Sequence, residues 1–420
     1  MKVFKFGGAS VNNVERIKNA ASIIASAPDK NLVIIISAIG KTTNALEKVA
    51  TAFYGNKKEE ALLLFDTIKK QHFDIAKYLL VINFNNCLAQ LNDFFTEVEW
   101  LLHDKPVREY DYYYDQIVCS GELMSTAIIS HYLNEAGITN KWIDVRDLVK
   151  TDNNFRDAAI DFTETEKRIR QSIQTNEETI YITQGFIGCT DENESTTLGR
   201  EGSDYTAAVF ANILNAESVT IWKDVEGIMS ADPKEFPDAV LLPELGYNEV
   251  IEMAYYGAQV IHPKTIKPLQ NKDIPLWVKC FTNPALPGTI IQQKQKNHLP
   301  PIIVFKHNQV LMNLHSQDFS FVGEQPMARL YEIFAQLKMK PNLIQTGAIS
   351  VKICMDDITE KMDKLAAAVA ALFDVQVEKG LSLLTIRHYN DAITQKLVDN
   401  KKIVLEQKTK TTLQVLFSKS

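Results

Sequence analysis

The sequence predicts an α/β protein: an α/β/α sandwich with a mainly parallel sheet over its first two-thirds, then a smaller ferredoxin-like region. Three observations predict it. Leu32-Val-Ile-Ile-Ile-Ser37 is an unbroken apolar run, the pattern of a strand buried on both faces. Runs of that kind alternate with amphipathic helical stretches, as crossover connections require. Beyond about residue 302 the texture changes to short strands and helices in the order β-α-β-β-α-β.

The bounds are those of an ordinary globular chain. It has 420 residues, enough for two or three domains, with 45% hydrophobic and 23% charged residues and a net charge of -7. That acidic balance gives no electrostatic case for nucleic acid, so a small-molecule partner is expected. Cys87, Cys119, Cys189, Cys280 and Cys354 are odd in number and scattered, with no C-x-x-C pair. They suggest neither a zinc site nor a disulfide framework, and they fit a reducing cytoplasm. No apolar run approaches the roughly 20 residues of a membrane span, and the chain opens directly on a strand.

In chain order, Val3 to Phe6 reads as a strand ending at Gly7-Gly8, before a helix over about 14–25. A strand, a glycine turn and a helix start present backbone N–H groups to phosphates, and Lys5 adds a point charge. A plain tight turn fits the same dipeptide. It is not a Walker A loop, because the lysine precedes the glycines. Ser37, Gly40, Thr42, Thr43 and Asn44 form a polar loop at a strand's carboxyl end, where open α/β sheets bind ligands. Residues of about 45–115 read as a helical insertion whose apolar stripe is core, and the tyrosines of Tyr110–Asp115 read as packing. Gly121-Glu122 enters a further helix. The helix dipole accounts for Glu122 there, and a carboxylate at a cleft lip would equally bind an ammonium. Trp142–Val145 and Ile180–Phe186 read as strands.

Thr196–Ala208 follows a strand and feeds an apolar-periodic run. Gly199 and Gly202 allow close backbone approach, Ser203 and Asp204 stand where N-caps stand, and Arg200 offers a fork for a carboxylate or phosphate. Val219–Ile228 is a strand running into a turn, with Trp222 as packing or a stacking surface. A helix over 249–260 ends at His262-Pro263, Leu276–Val278 is a strand, and 292–301 is the linker candidate. In the last region strands are expected at Val310–Leu314 and Ile349–Ile353, and helices at Met327–Leu337 and Ile358–Leu372. A hairpin of Val375–Val377 with Leu381–Ile386 around Gly380 follows, and then a partial repeat.

Taken together these stretches resemble the aspartate kinases of the amino acid kinase superfamily, over essentially the whole chain. Lys5-Phe6-Gly7-Gly8-Ala9-Ser10 is similar to the family's K-F-G-G-T-S, Gly121-Glu122-Leu123 to its G-E-L, and Thr183–Gly188 to its Q-G-F segment. Gly199–Asp204 is similar to G-R-G-G-S-D with Glu201 replacing a glycine, and Trp222–Gly227 with Asp232-Pro233 to the nucleotide segment. The resemblance implies a catalytic domain over 1–291 and an ACT-like regulatory region over 302–420, its second ACT unit truncated. It implies transfer of the γ-phosphoryl of ATP to the side-chain carboxylate of L-aspartate, the first step toward lysine, threonine and methionine. The nucleophile is already an anion, so the task is to cancel charge and to position.

By resemblance Lys5 neutralises the transferred group, Gly7 and Gly8 donate N–H bonds, and Asp204 orients lysine and metal. Arg200 binds a substrate carboxylate and Glu122 the α-ammonium, while Ser37, Thr43, Phe186 and Ser203 complete the substrate site. Lys223, Asp224, Met229, Lys234 and Gln259 fall on the ATP side, with Mg²⁺ held mainly by phosphate oxygens. Glu201 is expected to point outward. The resemblance also implies a homodimer through the ACT region and an amino-acid effector, lysine or threonine. Gly347 and Ala348, however, replace the serine and glutamate of the lysine-sensing pattern. Two alternatives share the fold: a catalytically silent amino-acid sensor, and a sister kinase acting on another carboxylate.

Overall fold

The computed structural model describes residues 1–175, 178–258, 261–293, 298–318 and 320–418. They form two compact units, one of 1–228, 241–251 and 260–296, the other of 229–240, 252–259 and 297–420. In chain order the elements are β1 (Lys2–Phe6), α1 (Val14–Ala25), β2 (Leu32–Ile36), α2 (Thr42–Tyr54), α3 (Lys58–Leu79), α4 (Phe84–His103), α5 (Tyr110–Val118), α6 (Ser120–Glu135), β3 (Asn140–Trp142) and α7 (Phe162–Ser172). There follow β4 (Ile180–Gln184), β5 (Ile187–Cys189), β6 (Ser195–Thr197), α8 (Gly202–Leu214), β7 (Val219–Lys223), β8 (Glu244–Gly246), α9 (Tyr247–Tyr255), α10 (Pro263–Gln270), β9 (Leu276–Cys280) and β10 (Thr289–Gln292). The last are β11 (Ile302–Ser316), α11 (Glu324–Gln336), β12 (Leu343–Thr346), β13 (Ser350–Asp356), α12 (Thr359–Val369), β14 (Phe373–Arg387), α13 (Asp391–Val398), β15 (Lys402–Lys408) and β16 (Thr412–Ser418).

In the first unit one sheet runs β3-β4-β2-β1-β7-β9-β10-β8. Every pair is parallel except β9 with β10. All five residues of β2 are buried, as its unbroken apolar run predicts for a central parallel strand, and so are all five of β4, Thr183 and Gln184 included. On one face α8 packs across β1, β2 and β7 and buries twelve of its thirteen residues; α6 lies against β2, β3 and β4. Residues 42–118 are four helices, in which Phe65 meets Phe95 edge-on. Trp222 is buried and stacks on Phe6 at 6.1 Å, so it is packing and not a ligand surface.

The second unit is built on an antiparallel sheet, β12-β13-β11-β14-β16-β15. Val310, Met312, Leu314, Leu330, Phe334, Val351, Ile353 and Leu365 form one of its cores.

Four expectations need correction. No hairpin forms around Gly380: β14 is a single fifteen-residue strand antiparallel to β11, and the register shifts near Gln309. Gly380 takes φ 75°, so its freedom bends the strand instead of reversing it. Ser203 and Asp204 are not N-caps; Glu201 is the N-cap of α8, and both lie in its first turn. The helix expected over 249–260 ends at Tyr255. His262-Pro263 starts a helix, α10, because His262 caps it through its ring and proline at the first turn lacks only an N–H that had no partner there. The linker candidate falls partly on 294–297, which lie outside the described residues, and Gln292 belongs to β10.

Candidate active site

At the carboxyl ends of β1, β2, β4 and β7, the edge where parallel sheets bind ligands, the first unit holds a cavity of about 500 Å³. It is lined by Lys5, Ser37, Thr43, Tyr114, Glu122, Arg156, Phe186, Thr197, Gly199, Arg200, Glu201, Gly202, Ser203, Asp204 and Lys223. Nine predicted residues therefore share one cavity: Lys5, Ser37, Thr43, Glu122, Phe186, Arg200, Ser203, Asp204 and Lys223.

Each is placed by the element that carries it. Lys5 leaves β1 before the Gly7-Gly8 turn, and its Nζ lies 2.6 Å from Asp204 Oδ1; Lys223 Nζ, at the end of β7, is 3.8 Å from Asp204 Oδ2. Asp204 is 3% exposed. Burial pushes its carboxyl up, but Lys5 and Lys223 outweigh burial and hold it below its ordinary pKa. Ser37 Oγ donates to Ser203 Oγ at 2.9 Å, joining the loop after β2 to the first turn of α8. At Gly8 an added Cβ would stand 2.7 Å from Gly40 O and 2.8 Å from Ala38 O, so only glycine lets the first two βα loops close on each other.

Glu122 is 2% exposed on α6. One carboxylate oxygen accepts the Ala38 N–H at 3.3 Å, and the other has no hydrogen-bond partner among the described residues. Burial raises its pKa to about 8. A buried acid aimed into a polar cavity with an unused oxygen is suited to a cation. Arg200 is exposed at the rim, with no ion pair or hydrogen bond among the described residues. Glu201 lines the cavity, half-buried, and its Oε2 accepts the His262 N–H at 2.9 Å. It is tied to the start of α10 instead of reaching outward.

The remaining predicted positions stand apart. Gly7 and Gly8 are not cavity-lining, although a Cβ on Gly7 would come 3.3 Å from Lys5 Nζ. Asp224 is exposed beside Lys223. Met229 and Lys234 belong to the second unit, with Lys234 exposed. Gln259 lies outside the described residues.

Sequence reasoning missed Tyr114, Arg156 and Thr197. Asp115, fully buried on α5 next to Tyr114, is the common partner of the other two. Its carboxylate accepts the Thr197 N–H and hydroxyl, both at 2.8 Å, and the Arg156 N–H at 3.0 Å. Burial raises its pKa to about 6 against those bonds. An acid between Tyr114 and Gln116 carries no spacing signal that could have announced this.

Residues 1–280 match the amino acid kinase family model. The chain belongs to the amino acid kinase family. Within that family it is 32% identical over 395 residues to the lysine-sensitive aspartokinase 3 of Escherichia coli, covering 91% of this chain and 86% of that protein. A crystal structure of E. coli aspartokinase III with aspartate and ADP superposes with a TM-score of 0.83 at 29% identity, covering 100% of this chain and 96% of that one. The bifunctional aspartokinase/homoserine dehydrogenase 1 of Zea mays is 33% identical over 299 residues, and the chain spans 32% of its length. Among the described residues no helix is long and apolar enough to cross a membrane.

Proposed function

We propose that this member of the amino acid kinase family is an aspartate kinase, transferring the γ-phosphoryl of ATP to the side-chain carboxylate of L-aspartate to give 4-phospho-L-aspartate. The observation that carries the reading is one cavity holding the Lys5–Asp204 ion pair, an arginine and a buried carboxylate oxygen that both lack a partner among the described residues. The substrate is an anion attacking an anion, so positive charge and fixed dipoles supply most of the rate. Lys5 neutralises the transferred phosphoryl group, Asp204 holds Lys5 in place, and Gly7 and Gly8 bring main-chain N–H groups to the phosphates. Glu122 takes the α-ammonium and Arg200 a carboxylate, while Ser37, Thr43, Phe186 and Ser203 shape the remaining edges. Lys223 and Asp224 serve the nucleotide, with Met229, Lys234 and Gln259.

No cluster of three or more metal-ligating side chains occurs among the described residues. A Mg²⁺ ion therefore fits as one held chiefly by phosphate oxygens, the usual arrangement for this cation. Residues 1–291 form the catalytic domain and 302–420 a regulatory region that dimerises. In that region Asn342–Val351 contains no carboxylate. The Asn342 amide is already engaged, accepting from Lys306 Nζ at 2.7 Å and donating to Gln309 Oε1 at 2.7 Å. A lysine effector would find no anionic partner in this segment, so weak lysine control is part of the reading.

The test is ADP release with L-aspartate against L-glutamate, with the acyl phosphate trapped as its hydroxamate. Aspartate-dependent hydroxamate supports the reading; turnover with neither amino acid leaves a silent sensor.

A further inference from the structure

Backbone conformation singles out one more side chain at the cavity. A left-handed φ crowds Cβ against the backbone, and Asn, Asp and His tolerate it best. Among the described residues four others adopt it, and three of them, Arg156 (φ 70°), Phe186 (φ 73°) and Glu201 (φ 54°), line this cavity.

For two of the three the fold shows the compensation. Phe186 donates its N–H to Thr206 Oγ1 at 3.0 Å and sets its ring against Gly202, while Glu201 accepts the His262 N–H. The Arg156 guanidinium has no buried bond of that kind. It reaches Asp111 Oδ1 at 3.1 Å and Glu47 Oε1 at 3.8 Å, both about half exposed, and lies 4.4 Å over the Tyr114 ring. Exposed ion pairs stabilise little, less than a left-handed arginine costs.

The main chain of Arg156 is nevertheless held firmly. Asp115 fixes its N–H, and a Cβ on Gly199 would come within 3.2 Å of its carbonyl oxygen. The residue is thus clamped beside the loop that carries Arg200, while its guanidinium rests on partners it can exchange.

L-aspartate brings one ammonium and two carboxylates. Glu122 is suited to the ammonium, and the reacting carboxylate belongs beside Lys5. We propose that Arg156 is a specificity residue that joins Arg200 in gripping the non-reacting α-carboxylate, leaving Asp111 and Glu47 when substrate enters. The assignment rests on the aspartate kinase reading. Stacking on Tyr114 keeps the guanidinium plane set for a fork-to-carboxylate bond, which a neutral α-group cannot reciprocate.

The experiment compares wild type with Arg156→Gly, because glycine accepts the left-handed φ freely and the fold is kept; the melting temperature checks that. Substrates are L-aspartate and L-aspartate α-amide. The variant should raise KM for L-aspartate about tenfold or more, with kcat and the KM for ATP within about threefold. Its preference for L-aspartate over the α-amide should fall by the same factor, and Arg156→Lys should recover part of it. An unchanged KM, or an equal loss toward both substrates, overturns the assignment, the latter marking a merely structural role. A wild type without aspartate-dependent turnover overturns the kinase reading beneath it, and that outcome is read before any variant is compared.

Discussion

Glu122 is a carboxyl that burial keeps protonated up to about pH 8, and the proposed ammonium ligand would need it ionised. If it meets the α-ammonium, aspartate binding below pH 8 must release a proton. KM for L-aspartate should then rise by up to about tenfold per pH unit as pH falls from 8 toward 6, and Glu122→Gln should flatten that slope while raising KM throughout. The stability sign is opposite: the folded state binds the proton more tightly than the unfolded chain, so stability from this group is present below the ordinary value of 4.5 and lost as pH rises through about 8. Lys5 is tested more simply. Lys5→Ala removes the charge beside Asp204, and kcat should fall by about 10²-fold or more, with a smaller change in KM for L-aspartate. A variant as fast as wild type would end the charge-neutralising role. Arg200 and Glu122 were legible because glycine-flanked polar motifs mark loops at strand ends. Arg156 was not, because what singles it out is a left-handed backbone angle at the cavity wall.

At the scale of elements, the cavity exists because strand ends and helix starts are pinned to one another. The β1 and β2 loops meet at Gly8, where an added Cβ would strike two main-chain carbonyl oxygens that cannot turn aside. Gly8→Ala should lower the melting temperature by several degrees, corresponding to about 1–3 kcal/mol, and reduce kcat more than Gly7→Ala, whose nearest contact is the flexible end of Lys5. Asp115 pins α5 to β6 and to the Arg156 backbone. In Asp115→Asn the amide oxygen can keep the two N–H donors only if its NH₂ turns to the Thr197 hydroxyl, which must then accept, and all three bonds lose their charge, a change that costs about 1–3 kcal/mol. Thermal unfolding should show that loss together with a higher KM for L-aspartate. The Ser37–Ser203 bond and the Glu201–His262 bond extend the same design to α8 and α10. The substitution of glutamate at 201 thus supplies a tie between helix starts, where sequence reasoning expected a solvent-facing charge.

For the whole molecule, the prediction concerns control. The segment Asn342–Val351, which resembles the family's effector segment, offers no carboxylate, and Asn342 is committed to Lys306 and Gln309. Lysine at millimolar concentration should neither inhibit aspartate-dependent ADP release nor shift the melting temperature, since a ligand selective for the folded state must raise it. A lysine-dependent shift of several degrees would place the effector's anionic partner elsewhere. The elongated β11 and β14 belong to this scale as well. The first was read as one short strand and the second as a whole hairpin, the latter because glycine between strand-like runs signals a turn and only pairing along fifteen residues turns it into a bend.

The sequence by itself determined the two-part α/β plan, the parallel core strands and the carboxyl-end cavity with Lys5, Glu122, Arg200 and Asp204. The plan and the strands follow from local periodicity, and the four residues from glycine-flanked motifs together with their resemblance to the family's, information that is contiguous along the chain. Tertiary structure alone decided which carboxylates are paired and which keep an unused oxygen, that Glu201 is tied down, and that Arg156 joins the cavity through Asp115. Those outcomes depend on burial and on contacts between residues 40 to 200 positions apart, and desolvation acts on neighbours in space, whatever their place in the chain.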